Sequence, residues 1–187
     1  MKKVLVVSKG LFHPTVFCRY QLMKTLRETE DIEIESSGKL ESLDGIDSKR
    51  FDAVILYFHE KKINAGTVKS LTEFVNKGGL VFCIHGALAS FKRLPEYTQL
   101  IGSVFTGHED IRIMNIKGVM DFSIMDEPYE FDLADDCEIL LSDGELPVSW
   151  VRRQGKGNVV ALAPGHTPAT MKNQYIKNMI RYILNKY

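Results

Sequence analysis

Short apolar runs separated by amphipathic stretches dominate the first half of the chain. Lys3 to Val7 is β-branched and apolar, Ile32 and Ile34 alternate with Glu33 and Glu35, and Ala53 to Phe58 and Leu80 to Ile84 have no polar interruption. Runs of this length are too short for helices. The unbroken ones predict strands buried on both faces, and the alternating one predicts a strand nearer a sheet edge. Between them, Pro14 to about Thr29 carries helical spacing, with Pro14 suited to a first turn and Val16, Leu22, Met23 and Leu26 forming the apolar side. Ser36 to Arg50 is polar and predicts a connecting loop with one short helix, and Ala65 to Asn76 predicts a helix closed by Gly78. Strands alternating with helices imply a parallel α/β sheet covered on both faces.

The pattern changes after Ala87. Pro95 to Ile101 predicts a helix, Gly102 to His108 an irregular segment, and Ile111 to Ile116, Cys137 to Leu141, Pro147 to Arg152 and Asn158 to Ala163 predict strands. Gln154-Gly155-Lys156-Gly157 makes the last two an antiparallel pair. Met171 to Leu184 predicts one closing helix. The expected architecture is therefore a mostly parallel sheet with an antiparallel extension, and 187 residues fit one domain over 1–187.

Composition narrows the function. The 24 basic and 24 acidic side chains cancel, and no basic stripe with interleaved aromatics argues for nucleic acid. No apolar run reaches membrane-spanning length and the amino terminus has no secretory pattern, so the chain reads as cytoplasmic with a small-molecule ligand. Cys18, Cys83 and Cys137 have neither disulfide nor zinc-thiolate spacing.

The candidate chemistry lies in five histidines. His13, His59, His85 and His166 each follow a predicted strand closely, and His108 sits between glycine-bounded segments. Strand ends of an open parallel sheet gather at one rim, where ligands bind. There imidazoles and the Asp126-Glu127 carboxylates could hold a divalent metal or work as acid and base near neutral pH. Gly86, lacking a Cβ, lets a ligand approach the backbone beside His85. Each group also has a structural alternative: capping or solvent exposure for His59, a solvated turn for Asp126-Glu127, core packing for Trp150. Cys83 lies two residues inside its strand and reads as a buried small hydrophobe more readily than a nucleophile.

Taken together, several segments resemble the ThuA-like (trehalose utilisation) family of the class I glutamine amidotransferase-like superfamily. They are Gly78-Gly79-Leu80-Val81 through His85-Gly86-Ala87, Leu100-Ile101-Gly102 through Phe105-Thr106-Gly107-His108, Asp126-Glu127-Pro128-Tyr129, Pro147 to Arg152 with Gly155-Lys156-Gly157, and Leu162 to His166. The resemblance implies a flavodoxin-like three-layer α/β sandwich and a pocket of His13, His85, His108, Glu127 and His166. It also implies that the strand-to-helix turn presents His85 where glutamine amidotransferases present a cysteine. The resulting expectation is a protein of carbohydrate utilisation binding or processing a sugar or oxidised sugar derivative. His85, Glu127 and His166 would be catalytic, with His13, Gly86, His108 and Tyr129 binding ligand. A divalent metal would sit among His13, His85, His108 and His166. The expected partner is a small sugar-like ligand, with self-association into a homo-oligomer admitted. A non-catalytic ligand-sensing module on the same scaffold is the competing expectation.

Overall fold

The computed structural model describes residues 1–10 and 14–187; His13 lies outside the described residues. The chain begins with β1 (Lys2–Ser8), α1 (Val16–Arg27), β2 (Ile32–Ser37), a 3-10 turn at Leu40–Leu43, β3 (Ala53–Tyr57), α2 (Ala65–Asn76) and β4 (Leu80–Ile84). Then come α3 (Gly86–Ala89), α4 (Pro95–Ile101), β5 (Ser103–His108), β6 (Arg112–Gly118), β7 (Phe122–Asp126) and β8 (Tyr129–Leu133). It closes with β9 (Cys137–Asp143), β10 (Leu146–Gln154), β11 (Gly157–Leu162), α5 (Pro168–Lys172) and α6 (Gln174–Lys186).

The main sheet has the order β2-β1-β3-β4-β11-β10-β9-β6-β7. Its first five strands pair in parallel, the flavodoxin-like arrangement, and the remaining pairings are antiparallel. The unbroken apolar runs are the inner strands: every residue of β3 and β4 is buried. The alternating β2 is an edge strand, as its half-polar pattern requires. Side chains leaving the sheet on one face pack with α1, α5 and α6 (Val6, Leu22, Phe82, Met179, Ile183), and on the other with α2, α3 and α4 (Val7, Leu71, Cys83, Tyr97, Trp150). Alternation along β4 sends Phe82 to one layer and Cys83 to the other, which is the period-two geometry of a strand buried on both sides.

Five expectations are corrected. Gly102 to His108 is not irregular: Ser103–His108 forms β5, paired antiparallel with β8 in a separate two-stranded sheet with a register shift between Phe105 and Gly107; its burial alternates, but Ser103 is buried and Val104 exposed, so polarity does not follow it. The closing helix is two, because the Asn173 side chain accepts the Tyr175 N–H at 2.8 Å and caps a new start for α6. Pro14 stands before the first helix and not in its first turn, since Thr15 Oγ1 accepts the Cys18 N–H at 3.2 Å as the cap; that helix also stops at Arg27. Its buried face is Cys18, Gln21, Leu22, Thr25 and Leu26, leaving Val16 exposed.

Candidate functional site

The carboxyl ends of the adjacent strands β4 and β11 carry the centre of the site. Directly after β4, His85 occupies φ 46°, ψ −110°, a sharp strand-to-helix elbow that an L-residue adopts only under strain. Three contacts hold it there. Its backbone N–H donates to Leu162 O at 2.9 Å, its Nδ1–H donates to Ala163 O at 2.8 Å, and its ring stacks on Tyr129 at 4.4 Å between centroids. A carbonyl can only accept, so the proton of the neutral imidazole sits on Nδ1 and Nε2 presents a lone pair.

After β11 the chain turns through Ala163-Pro164-Gly165 to His166. A Cβ on Gly165 would stand 2.9 Å from the His85 Cβ, so only glycine lets the two strand ends approach this closely. The turn is fixed from two sides. Tyr57, at the end of β3, donates its hydroxyl to Gly165 O at 2.5 Å, and Asp126 accepts the Gly165 N–H at 2.6 Å and the His166 N–H at 3.3 Å. Asp126 also accepts the N–H of Glu127. Although β7 is the far edge strand of the sheet, its end returns to the β4–β11 rim and delivers the acidic pair there. Asp126 is completely buried and not a solvated turn; burial raises its pKa while the three N–H donors oppose that rise.

Glu127 is the pivot of the cluster. Its Oε2 lies 3.2 Å from His166 Nδ1 and 3.8 Å from His85 Nε2, and its Oε1 lies 3.2 Å from His108 Nδ1. His166 Nδ1 is also 3.2 Å from His85 Nε2. The Tyr129 hydroxyl comes within 3.1 Å of the same His85 nitrogen, and burial raises its pKa, so the phenol stays protonated as a donor. Lone pairs of His85, His166 and Glu127 thus converge on one point, and a positive species between them is what makes this arrangement favourable. A proton on His166 Nδ1 satisfies it. So does a divalent metal: the 3.2–3.8 Å spacings suit bonds of roughly 2.0–2.2 Å to one ion. The Ala163 carbonyl supplies the outer hydrogen bond that metal-binding histidines usually have.

This cluster underlies a cavity of about 710 Å³. Phe91, Phe105 and Tyr129 supply its aromatic walls, with His59, His108 and Lys92 among its polar lining. Of the sequence-predicted residues, the structure brings together His85, Glu127, His166, Tyr129 and His108, and sets Gly86 at the buried start of α3. His108 reaches only Glu127 among these carboxylate and imidazole groups and is half exposed, so among the described residues the metal-spaced group is His85, Glu127 and His166. Cys83 faces the α2 layer, and burial pushes its thiol up to about 12, so it is not a poised nucleophile. Trp150 is core, donating its indole N–H to Ile101 O at 3.2 Å. Sequence reasoning missed the positioning role of Asp126 and the place of Phe91, Lys92 and Arg93 in the cavity lining. For Asp126 the available signal was its place at the end of an alternating strand.

The family model described as "Trehalose utilisation" matches residues 3–183. The chain belongs to the ThuA family. No curated protein matches it. Among solved structures, this ThuA member is similar to a putative ThuA-like protein from Bacteroides uniformis ATCC 8492, at 14% identity and TM-score 0.81, over 98% of this chain and 89% of that one. It is equally similar to a putative ThuA-like protein from Parabacteroides merdae ATCC 43184, at 15% identity and TM-score 0.82, over 98% and 88%. A β-galactosidase from Bacillus circulans sp. alkalophilus shares the fold at 14% identity and TM-score 0.67, over 99% of this chain but 31% of that one. Identities this low speak for the fold alone. No helix among the described residues is long and apolar enough to cross a membrane.

Proposed function

We propose that this ThuA member processes a sugar or an oxidised sugar derivative by proton transfer through Glu127, His85 and His166. The observation that carries the reading is the meeting of Glu127 Oε2, His166 Nδ1 and His85 Nε2 within 4.8 Å beneath an aromatic-walled cavity. Aromatic faces such as Phe105 suit the C–H faces of a pyranose, while the polar floor addresses hydroxyls. The family's association with trehalose supports the choice of a sugar.

The roles follow from the hydrogen bonds. Glu127 is the general base, a carboxylate with one oxygen steadied by His108 and the other facing the cluster. His166, partly exposed on the cavity wall, returns a proton to the substrate oxygen. His85, with its Nδ1–H committed to Ala163, accepts from His166 and fixes which nitrogen of that ring carries the proton. Tyr129 donates to oxygen or to His85 Nε2 without ionising. A divalent metal on His85, Glu127 and His166 would act as a Lewis acid toward a carbonyl or hydroxyl oxygen. Hydrolysis, elimination and isomerisation all use such an acid–base pair. Covalent attack by a cysteine is disfavoured because the elbow residue is His85 and Cys83 is buried.

The test is incubation of the full chain in D₂O with trehalose, glucose and ketone-bearing hexoses, with and without Mn²⁺ or Zn²⁺, followed by NMR. Deuterium entering beside a carbonyl, or product formation, with loss in Glu127→Gln supports the reading. Sugar binding with neither exchange nor turnover would replace it with the sensing-module alternative.

A further inference from the structure

We propose that the substrate carries an oxyanion, a carboxylate or a phosphate, received at the cavity rim by Lys92 and Arg93 with Lys61 beside them; this rests on the sugar-site reading above. The chain is neutral overall, with 24 cationic and 24 anionic side chains, yet all three of these cations line the one cavity. The acidic groups that share it already have partners. Glu60 is held by Lys9 at 2.9 Å, and Glu127 by His166 and His108. Among the described residues no ion pair involves Lys61, Lys92 or Arg93. Like charges gathered on a concave surface repel one another, and an anionic ligand relieves that repulsion.

The backbone presenting Lys92 and Arg93 is built for position. Phe91 adopts φ 49°, the left-handed region that a bulky aromatic residue ordinarily avoids. Its ring is wedged between Phe58 and Tyr97, at 5.8 and 5.0 Å between centroids, its N–H donates to Glu60 O at 3.3 Å, and its carbonyl accepts the Leu94 N–H at 2.8 Å. Strain over-determined by packing in this way clusters at ligand clamps, and here it turns the chain so that two consecutive cations face the cavity. Lys92 Nζ lies 5.4 Å over the Phe105 ring, which holds the ammonium above the aromatic wall. His59, in the lining of the same cavity, has its pKa lowered first by burial, with Lys61 and Lys92 adding to the effect against the pull of Glu60 and Glu127. A neutral sugar needs hydroxyl partners and gains little from this arrangement; an acidic or phosphorylated one matches it.

The experiment is titration calorimetry of the full chain with glucose, glucuronate and glucose 6-phosphate at 50 and 500 mM NaCl, repeated on Lys92→Ala/Arg93→Ala and Lys92→Arg. Circular dichroism confirms that each variant is folded. The expected result is an anion bound about tenfold or more tightly than glucose at low salt, a preference compressed at high salt, lost in the double variant and kept in Lys92→Arg. Glucuronate ahead of glucose 6-phosphate assigns a carboxylate; the reverse order assigns a phosphate. Glucose bound as tightly as both anions, or a double variant that keeps the preference, overturns this inference and leaves the sugar site standing. Binding of none of the three overturns both.

Discussion

The imidazole of His85 and the carbonyl of Ala163 are joined by a 2.8 Å hydrogen bond that ties the end of β4 to the end of β11. Through that bond the two neighbouring strands determine which nitrogen of His85 carries its proton and which faces Glu127, His166 and Tyr129. The strained backbone at the same residue gives the first prediction. Replacing His85 with Ala removes the imidazole and keeps the strain of the positive φ; replacing it with Gly removes both. His85→Gly should therefore be more stable than His85→Ala by about 1 kcal/mol in denaturant unfolding, and both should weaken any metal binding at the cluster. Equal stability of the two variants would show that the elbow stores no strain.

Asp126 acts on the His85–Glu127–His166 cluster only through what it positions. Asp126→Ala leaves the N–H groups of Gly165 and His166 without their buried acceptor and should cost about 2–4 kcal/mol, measured by urea unfolding. Asp126→Asn keeps one acceptor oxygen and should recover part of that loss. The readout specific to positioning is metal affinity, which should fall in the Ala variant and return toward wild type in the Asn variant. An Ala variant that binds metal normally would remove the positioning role.

Cys83 should be inert. Its thiol is held up to about 12 by burial, against 9.0 for the free group, so iodoacetamide at pH 8 should leave it unmodified in the native chain. The folded state keeps this proton where the unfolded state has lost it. The resulting stability is full below pH 9 and lost as pH rises from about 9 toward 12. Cys83→Ala should lose less stability than wild type over that range in denaturant titrations, with metal binding unaffected. Rapid alkylation of native Cys83, or sugar chemistry that disappears with it, would reopen the nucleophile reading.

What the sequence revealed and what it concealed follow from how locally each feature is encoded. The inner parallel strands are legible because burial on both faces leaves an apolar run, as in Val81-Phe82-Cys83-Ile84, that no other element of that length produces. His85 and His166 were legible for the same reason, each ending such a run. The strand at Ser103–His108 was not, because its buried face carries Ser103 and its exposed face Val104, and its partner β8 lies beyond β6 and β7. The first helix shows a related limit. Val16 and Met23 fit the apolar side by spacing, yet Val16 points outward and Met23 is only partly buried, while Gln21 and Thr25 are buried, with the Thr25 hydroxyl donating to Gln21 O at 3.0 Å. Asp126 escaped because an acidic pair before proline has the composition of a solvated turn. Only the return of β7 to the β11 rim turns it into a buried anchor.

The most direct test of the central claim is the anomalous difference map of a crystal of the full chain soaked in Zn²⁺. The account predicts one strong peak at roughly 2.0–2.2 Å from each of His85 Nε2, His166 Nδ1 and Glu127 Oε2. A Glu127 carboxylate turned away from both imidazoles would contradict it; an intact cluster with no peak would remove the metal and leave a proton on His166 Nδ1 as the bridging species.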